Sequence, residues 1–240
     1  MKNKFIVTAA ITGAIHTPTM SPYLPITSDE IVEEAGRASD AGAAVVHIHA
    51  RDPEEGKPFG TPEMFAELLP RIKTRSSAVI CTTTGGALGQ TAEQRVAVVK
   101  QFSPELASLN AGSMNFAIFP VLEKYKEFKH DWEPEYLGMT EDFIFPNTFK
   151  TLKQFSGYFS EEGTKPEFEV YDVGMLNNSA FLVEKGHIQK PLYLQFVLGI
   201  LGGIPATVNN LMFMLNTAKE MFGDAFVWSV CAAGREQFRM

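Results

Sequence analysis

Residues 44–53, Ala44-Val45-Val46-His47-Ile48-His49-Ala50-Arg51-Asp52-Pro53, decide how the rest of the chain is read. Ala44, Val45, Val46 and Ile48 make the apolar run of a buried strand, which His47 and His49 interrupt. Side chains alternate faces along a strand, so residues two apart look the same way. The two imidazoles therefore share one face, their Cα atoms about 6.6 Å apart at the usual strand rise, and Val46 and Ile48 pack on the other. Two imidazoles so spaced can converge on one metal ion. The competing reading is a pair of core histidines, each bonded to a backbone carbonyl. Arg51, Asp52 and Pro53 end the strand with charge and a forced stop. A strand buried on both faces, with polar groups at its C-terminal end, is how parallel α/β sheets present their sites.

The 240 residues are 45% hydrophobic and include 19 Phe, enough for a full core, and residues 1–240 read as one domain. A net charge of −7, with scattered basic residues, argues against nucleic acid or an anionic membrane as partner. The two cysteines, Cys81 and Cys231, sit far apart in strand-like runs, as expected of buried thiols in a reducing cytoplasm. The N-terminus carries no apolar stretch of signal-peptide length, and no run reaches the ~18 apolar residues of a membrane span.

Short apolar runs alternate with amphipathic ones, the signature of a parallel sheet with helical crossovers. Strands are expected at 5–11, 44–49, 78–83, 106–110, 166–172, 191–196 and 225–230. Helices are expected to about residue 40 after Thr27-Ser28-Asp29-Glu30, at 61–73, 91–102, 147–161, 174–185 and 207–221. Thr27 and Glu30 are spaced as a capping box, and Pro62 takes the first position of its helix. Residues 115–146 read as an insertion after the fourth strand, with a helix at 117–128, and residues 234–238 as the opening of a last helix. Seven strand signals predict a TIM (β/α)8-type barrel lacking its eighth strand and helix. Bare parallel edges are avoided, so either the chain is C-terminally shortened or a partner subunit covers an edge. An open doubly wound sheet is the runner-up, disfavoured because no Gly-x-Gly-x-x-Gly turn follows the first strand.

In a barrel the reacting groups gather where strands end. Those ends supply Thr12, Gly13 and His16; His47, His49 and Arg51; Thr83, Thr84, Gly85 and Gly86; Ser108 and Asn110; Glu169 and Tyr171; and Gln195. Gly85-Gly86 reads either as a backbone cradle for an anion or as a plain tight turn. Ser108 and Asn110 read as a functional pair or as ordinary polar barrel lining. A mid-strand carboxylate such as Glu169 needs a partner or a task, whether metal ligand, base, orienter of a histidine, or ion pair with Arg51. It is expected inside the barrel near His47 or His49, with Phe168 and Val170 facing the helices. His130 and His187, among charged residues, read as solvated surface.

Six ordered motifs carry a resemblance: Ala10-Ile11-Thr12-Gly13-Ala14; His47-Ile48-His49 with Arg51; Thr83-Thr84-Gly85-Gly86; Ser108-Leu109-Asn110-Ala111-Gly112; Glu167-Phe168-Glu169-Val170-Tyr171; and Gln195-Phe196-Val197-Leu198-Gly199. Together they resemble the β-keto acid cleavage enzyme family, whose founding activity is 3-keto-5-aminohexanoate cleavage. The resemblance implies a zinc-dependent TIM barrel, commonly tetrameric, that reacts a β-keto acid with acetyl-CoA to give acetoacetate and a new acyl-CoA. Position by position it puts the metal histidines on His47 and His49, and catalytic groups on Thr83, Ser108, Asn110 and Glu169. Ile15 and His16 fall on the loop that meets the substrate's distal group, and Thr12, Arg51, Gly85, Gly86 and Gln195 are expected at the substrate. The family's third zinc ligand, a Glu in a Gly-x-Glu-Asp motif after strand eight, has no counterpart among these residues. A zinc-dependent aldolase and a catalytically incomplete metal-binding or assembly subunit are the alternatives.

Overall fold

In the computed structural model, which describes residues 5–87 and 89–240, strands and helices alternate along the chain. They are β1 (Thr8–Ala10), α1 (Ser28–Asp40), β2 (Val45–Ile48), α2 (Pro62–Arg75), β3 (Val79–Thr82), α3 (Ala92–Phe102), β4 (Leu106–Asn110), β5 (Met114–Asn115), α4 (Trp132–Gly138), β6 (Ile144–Phe145), α5 (Phe149–Glu161), β7 (Lys165–Val170), α6 (Val173–Glu184), β8 (Leu192–Leu198), α7 (Val208–Phe222) and β9 (Phe226–Ala232). Seven strands hydrogen-bond in the order β1-β2-β3-β4-β7-β8-β9 with parallel ladders, the α/β arrangement that the alternating pattern predicts. Of the N-terminal residues read above for a leader, 1–4 lie outside the described residues.

The chain divides into two compact units. One comprises Met1–Ala107, Glu127–Pro134 and Glu162–Thr164; the other comprises Ser108–Lys126, Glu135–Glu161 and Lys165–Met240. In the first, Thr27 Oγ1 accepts from the Glu30 N–H at 3.3 Å, and Glu30 Oε2 accepts from the Thr27 N–H at 3.0 Å, completing the capping box. Gly36 lets α1 and α2 close together, because a Cβ there would sit 2.4 Å from the guanidinium carbon of Arg75. Arg75 crosses at that point to reach Glu33 at 3.2 Å and Asp40 at 2.8 Å. Glu133, fully buried, ties residues 130–133 to the stretch after β1 by accepting from the Thr19 N–H, the Thr19 hydroxyl and the His130 N–H at 2.9–3.0 Å.

In the second unit Phe168 and Val170 are fully buried on β7, which packs against α5 and α6. β8 lies in register with β7, setting Gln195 opposite Glu169. The helix expected over 117–128 is instead a 3₁₀ turn, Phe119–Lys124. Pro120 stands in its first turn and none of its residues is buried, so nothing rewards a longer helix. The antiparallel pair β5–β6 closes this excursion, and α4 within it was not foreseen. Gly202, at φ +102°, lets the loop after β8 pass β5, since a Cβ there would lie 1.8 Å from the Asn115 carbonyl oxygen. The helix opening expected at 234–238 is a 3₁₀ turn, Gly234–Glu236.

Candidate functional site

The first group of candidate residues stands at the end of β2. His47 and His49 share a face, with Nε2 atoms 3.0 Å apart and ring centroids 5.0 Å apart. Burial pushes the His47 imidazole down to about 4. His49 is held well below its ordinary value by burial first, then by the charges of His47 and Arg51. Both rings are thus neutral near pH 7, the state in which imidazole offers a lone pair to a metal. Among the described residues the ring nitrogens meet each other and Cys81, not backbone carbonyls. Two neutral nitrogens 3.0 Å apart fit one ion with bonds of about 2.0–2.1 Å, and imidazole suits zinc.

The neighbouring strands hold this pair in place. The Thr12 hydroxyl donates to the His49 carbonyl at 2.8 Å and accepts from the His49 N–H at 3.0 Å. The Ile11 N–H reaches the His47 carbonyl at 3.1 Å. Arg51 is buried, and its guanidinium turns inward. It donates to the carbonyls of Gly56 at 2.6 Å, Gly13 at 2.8 Å, His16 at 2.8 Å and Thr12 at 3.4 Å. Thr12 and Arg51, both expected at the substrate, therefore brace the loop that presents His16. Burial, and then the Arg51 charge, hold His16 below its ordinary value.

After β3, Thr83 Oγ1 accepts from the Gly85 N–H at 2.9 Å and keeps its own O–H as a donor. The Gly85 N–H, one reading of which was an anion cradle, is thus committed to a tight turn. Gly86, at φ +69°, packs over Arg95, whose Cγ would lie 2.7 Å from an added Cβ. Arg95 Nε in turn donates to the Thr84 carbonyl at 2.8 Å. His49, Thr83, Gly86 and Arg95, with Phe59 and Phe65, line a cavity of about 20 Å³, which is room for one water.

The second group lies on β4, β7 and β8. Ser108 and Asn110 are buried two apart on β4. Just past β7 the Tyr171 hydroxyl donates to Glu169 Oε2 at 2.7 Å. Glu167, on the same face two residues earlier, is fully buried. Burial first, and then the charge of Glu169, push it up to about 7, with Tyr193 working in the other direction. Tyr171 is pushed well above its ordinary value by burial and then by Glu169. Cys231, expected from the sequence to be buried like Cys81, is instead exposed on β9, where its thiol donates to Gln195 Oε1 at 3.7 Å. The sequence reading passed over Glu167, although period-two alternation puts it in line with Glu169 and Tyr171. His187 is exposed as expected, whereas His130 is half-buried and stacks on Trp132 with centroids 6.3 Å apart.

Comparisons with known proteins follow from this geometry. A family model described as beta-keto acid cleavage enzyme matches residues 4–240. The 3,5-dioxohexanoate:acetyl-CoA acetone transferase of Paraburkholderia graminis is 47% identical over 236 residues, 98% of this chain and 76% of that protein. The 3-keto-5-aminohexanoate cleavage enzyme of Acetoanaerobium sticklandii is 38% identical, over 99% of this chain and 77% of that protein. Among solved structures, the binary complex of ObcA with oxaloacetate superposes with a TM-score of 0.64 at 20% identity, over 89% of this chain and 53% of that one. The chain thus spans about half of ObcA, and that likeness concerns the fold alone.

Proposed function

The chain belongs to the β-keto acid cleavage enzyme family, and from that premise we propose that it reacts a β-keto acid with acetyl-CoA, giving acetoacetate and a new acyl-CoA, at a zinc ion held by His47 and His49. The observation that carries the metal is the 3.0 Å approach of two neutral Nε2 atoms. When bound, zinc supplies Lewis-acid stabilisation of negative charge on the ketone oxygen. The protein's own groups do the rest. Thr83, Ser108 and Asn110 donate hydrogen bonds to substrate oxygens. Glu169, its carboxylate fixed by Tyr171, takes a proton in the role of base. Gln195 contributes a polar contact beside Glu169. His16, on the loop braced by Arg51, meets the substrate's distal group. A homotetramer in the cytoplasm completes the proposal, supported by the family resemblance for the first and by the two free cysteines for the second; no described helix is long and apolar enough to cross a membrane.

The test supplies purified protein with β-keto acids, with and without acetyl-CoA, and monitors acyl-CoA formation. The proposal expects product only when acetyl-CoA is present, loss of activity on chelation and its return with zinc. Cleavage of a β-hydroxy acid without CoA would instead establish an aldolase.

A further inference from the structure

Cys81 was expected from the sequence only as a buried thiol, yet β2 and β3 pair so that His47 and Cys81 stand directly opposite each other. The imidazole of His47 is engaged at both ends. Its Nε2 faces His49 Nε2 at 3.0 Å, and its Nδ1 faces Cys81 Sγ at 3.4 Å. Cys81 is completely buried, and its sulfur is the group that faces that nitrogen. Only one arrangement of protons leaves the Nε2 lone pair of His47 directed toward His49 and an ion between them. The proton must sit on Nδ1, and it must point at sulfur. Metal-bound histidines usually hand this second N–H to a carboxylate, a carbonyl or water.

We propose that Cys81 is a positioning residue for His47: its sulfur accepts the Nδ1–H, fixing the ring's tautomer and its turn about Cβ, without itself ligating the metal. This rests on the reading of His47 as a metal ligand. A metal held between Cys81 Sγ and Nδ1 would engage the opposite side of the ring from His49, which is why the thiol is assigned the supporting place. Serine, a shorter acceptor of the same kind, preserves the bond in large part, and alanine abolishes it.

Two measurements test this, one of them independent of any metal. Long-range ¹H–¹⁵N spectra of the metal-free protein report which nitrogen of His47 bears the proton. Nδ1-protonated His47 is expected in the wild type and in Cys81→Ser, with a mixture of tautomers in Cys81→Ala. An Nε2-protonated His47 in the wild type overturns the proposal whether or not zinc binds. Chelator competition then measures zinc affinity, with a loss of about 10- to 100-fold expected for Cys81→Ala and a much smaller one for Cys81→Ser. Unchanged affinity in Cys81→Ala overturns the positioning role. Cobalt-loaded wild type showing a thiolate-to-metal charge-transfer band would make Cys81 a ligand and equally overturn it. A wild type that binds no zinc but keeps Nδ1-protonated His47 defeats the metal reading while leaving the Cys81–His47 bond standing.

Discussion

β2 and β7 each carry two ionisable side chains two residues apart, His47 with His49 and Glu167 with Glu169, and burial moves the histidines and Glu167 in opposite directions. Low-dielectric surroundings disfavour whichever form is charged. The imidazole of His47 therefore loses its proton readily, falling to about 4, while the carboxyl of Glu167 keeps its own, rising to about 7. The same physics yields two bare lone pairs on one strand and one proton-holding carboxyl, Glu167, on the other. The first can accept a metal, and the second can hold and move a proton. Their surroundings differ to match. Thr12 and Arg51 lock the histidine end from neighbouring backbone, whereas just past β7 the Tyr171 hydroxyl reaches the carboxylate of Glu169 directly.

The comparison breaks most severely if Glu169 turns out to be dispensable. Glu169→Gln keeps the shape, and turnover with acetyl-CoA is expected to fall about 10²- to 10⁴-fold with zinc content intact. Full activity in that variant would remove the proton-handling half of the contrast. Next in size is Arg51→Met, which strips several buried carbonyls of their donor. A loss of about 3 kcal/mol in denaturant stability is expected, with little recovery in Arg51→Lys because an ammonium cannot span the same fork of acceptors. Stability equal to wild type would show that the bracing is not needed.

The smallest effect concerns pH and sharpens the contrast in sign. Between the ordinary 6.5 of histidine and about 4, the unfolded chain binds protons that folded His47 refuses, so acidification destabilises the metal-free protein. Glu167 does the reverse. Between its ordinary 4.5 and about 7 the folded chain keeps a proton that the unfolded chain has lost, so rising pH destabilises. Metal-free Glu167→Gln should therefore gain on wild type as pH rises from 5 to 7, by at most about 1.4 kcal/mol per unit. Denaturant titrations at three pH values settle it; a constant difference between the two proteins would mean that Glu167 is not raised.

Much of this was legible in the residues. Alternation alone put His47 and His49 on one face, and the Thr27–Glu30 spacing announced a cap that the structure completes. What stayed hidden depended on contacts between distant segments. The role of Cys81 follows from the register of β2 on β3, and that of Arg51 from the path of residues 12–16, neither of which is a local property. Glu167 is different: alternation gives it the same face as Glu169 and Tyr171, and only its complete burial, which is not a local property, sets it apart. Between β4 and β7, α4 has only seven residues, too few for a helical period to declare itself.

The central claim is that His47 and His49 hold a metal, and zinc content measures it most directly. Wild type, His47→Ala, His49→Ala and Glu169→Gln proteins would be dialysed exhaustively against metal-free buffer and assayed for bound zinc. One zinc per chain is expected in the wild type and in Glu169→Gln, and none in either histidine variant. Zinc that persists undiminished in His47→Ala and His49→Ala would contradict the account.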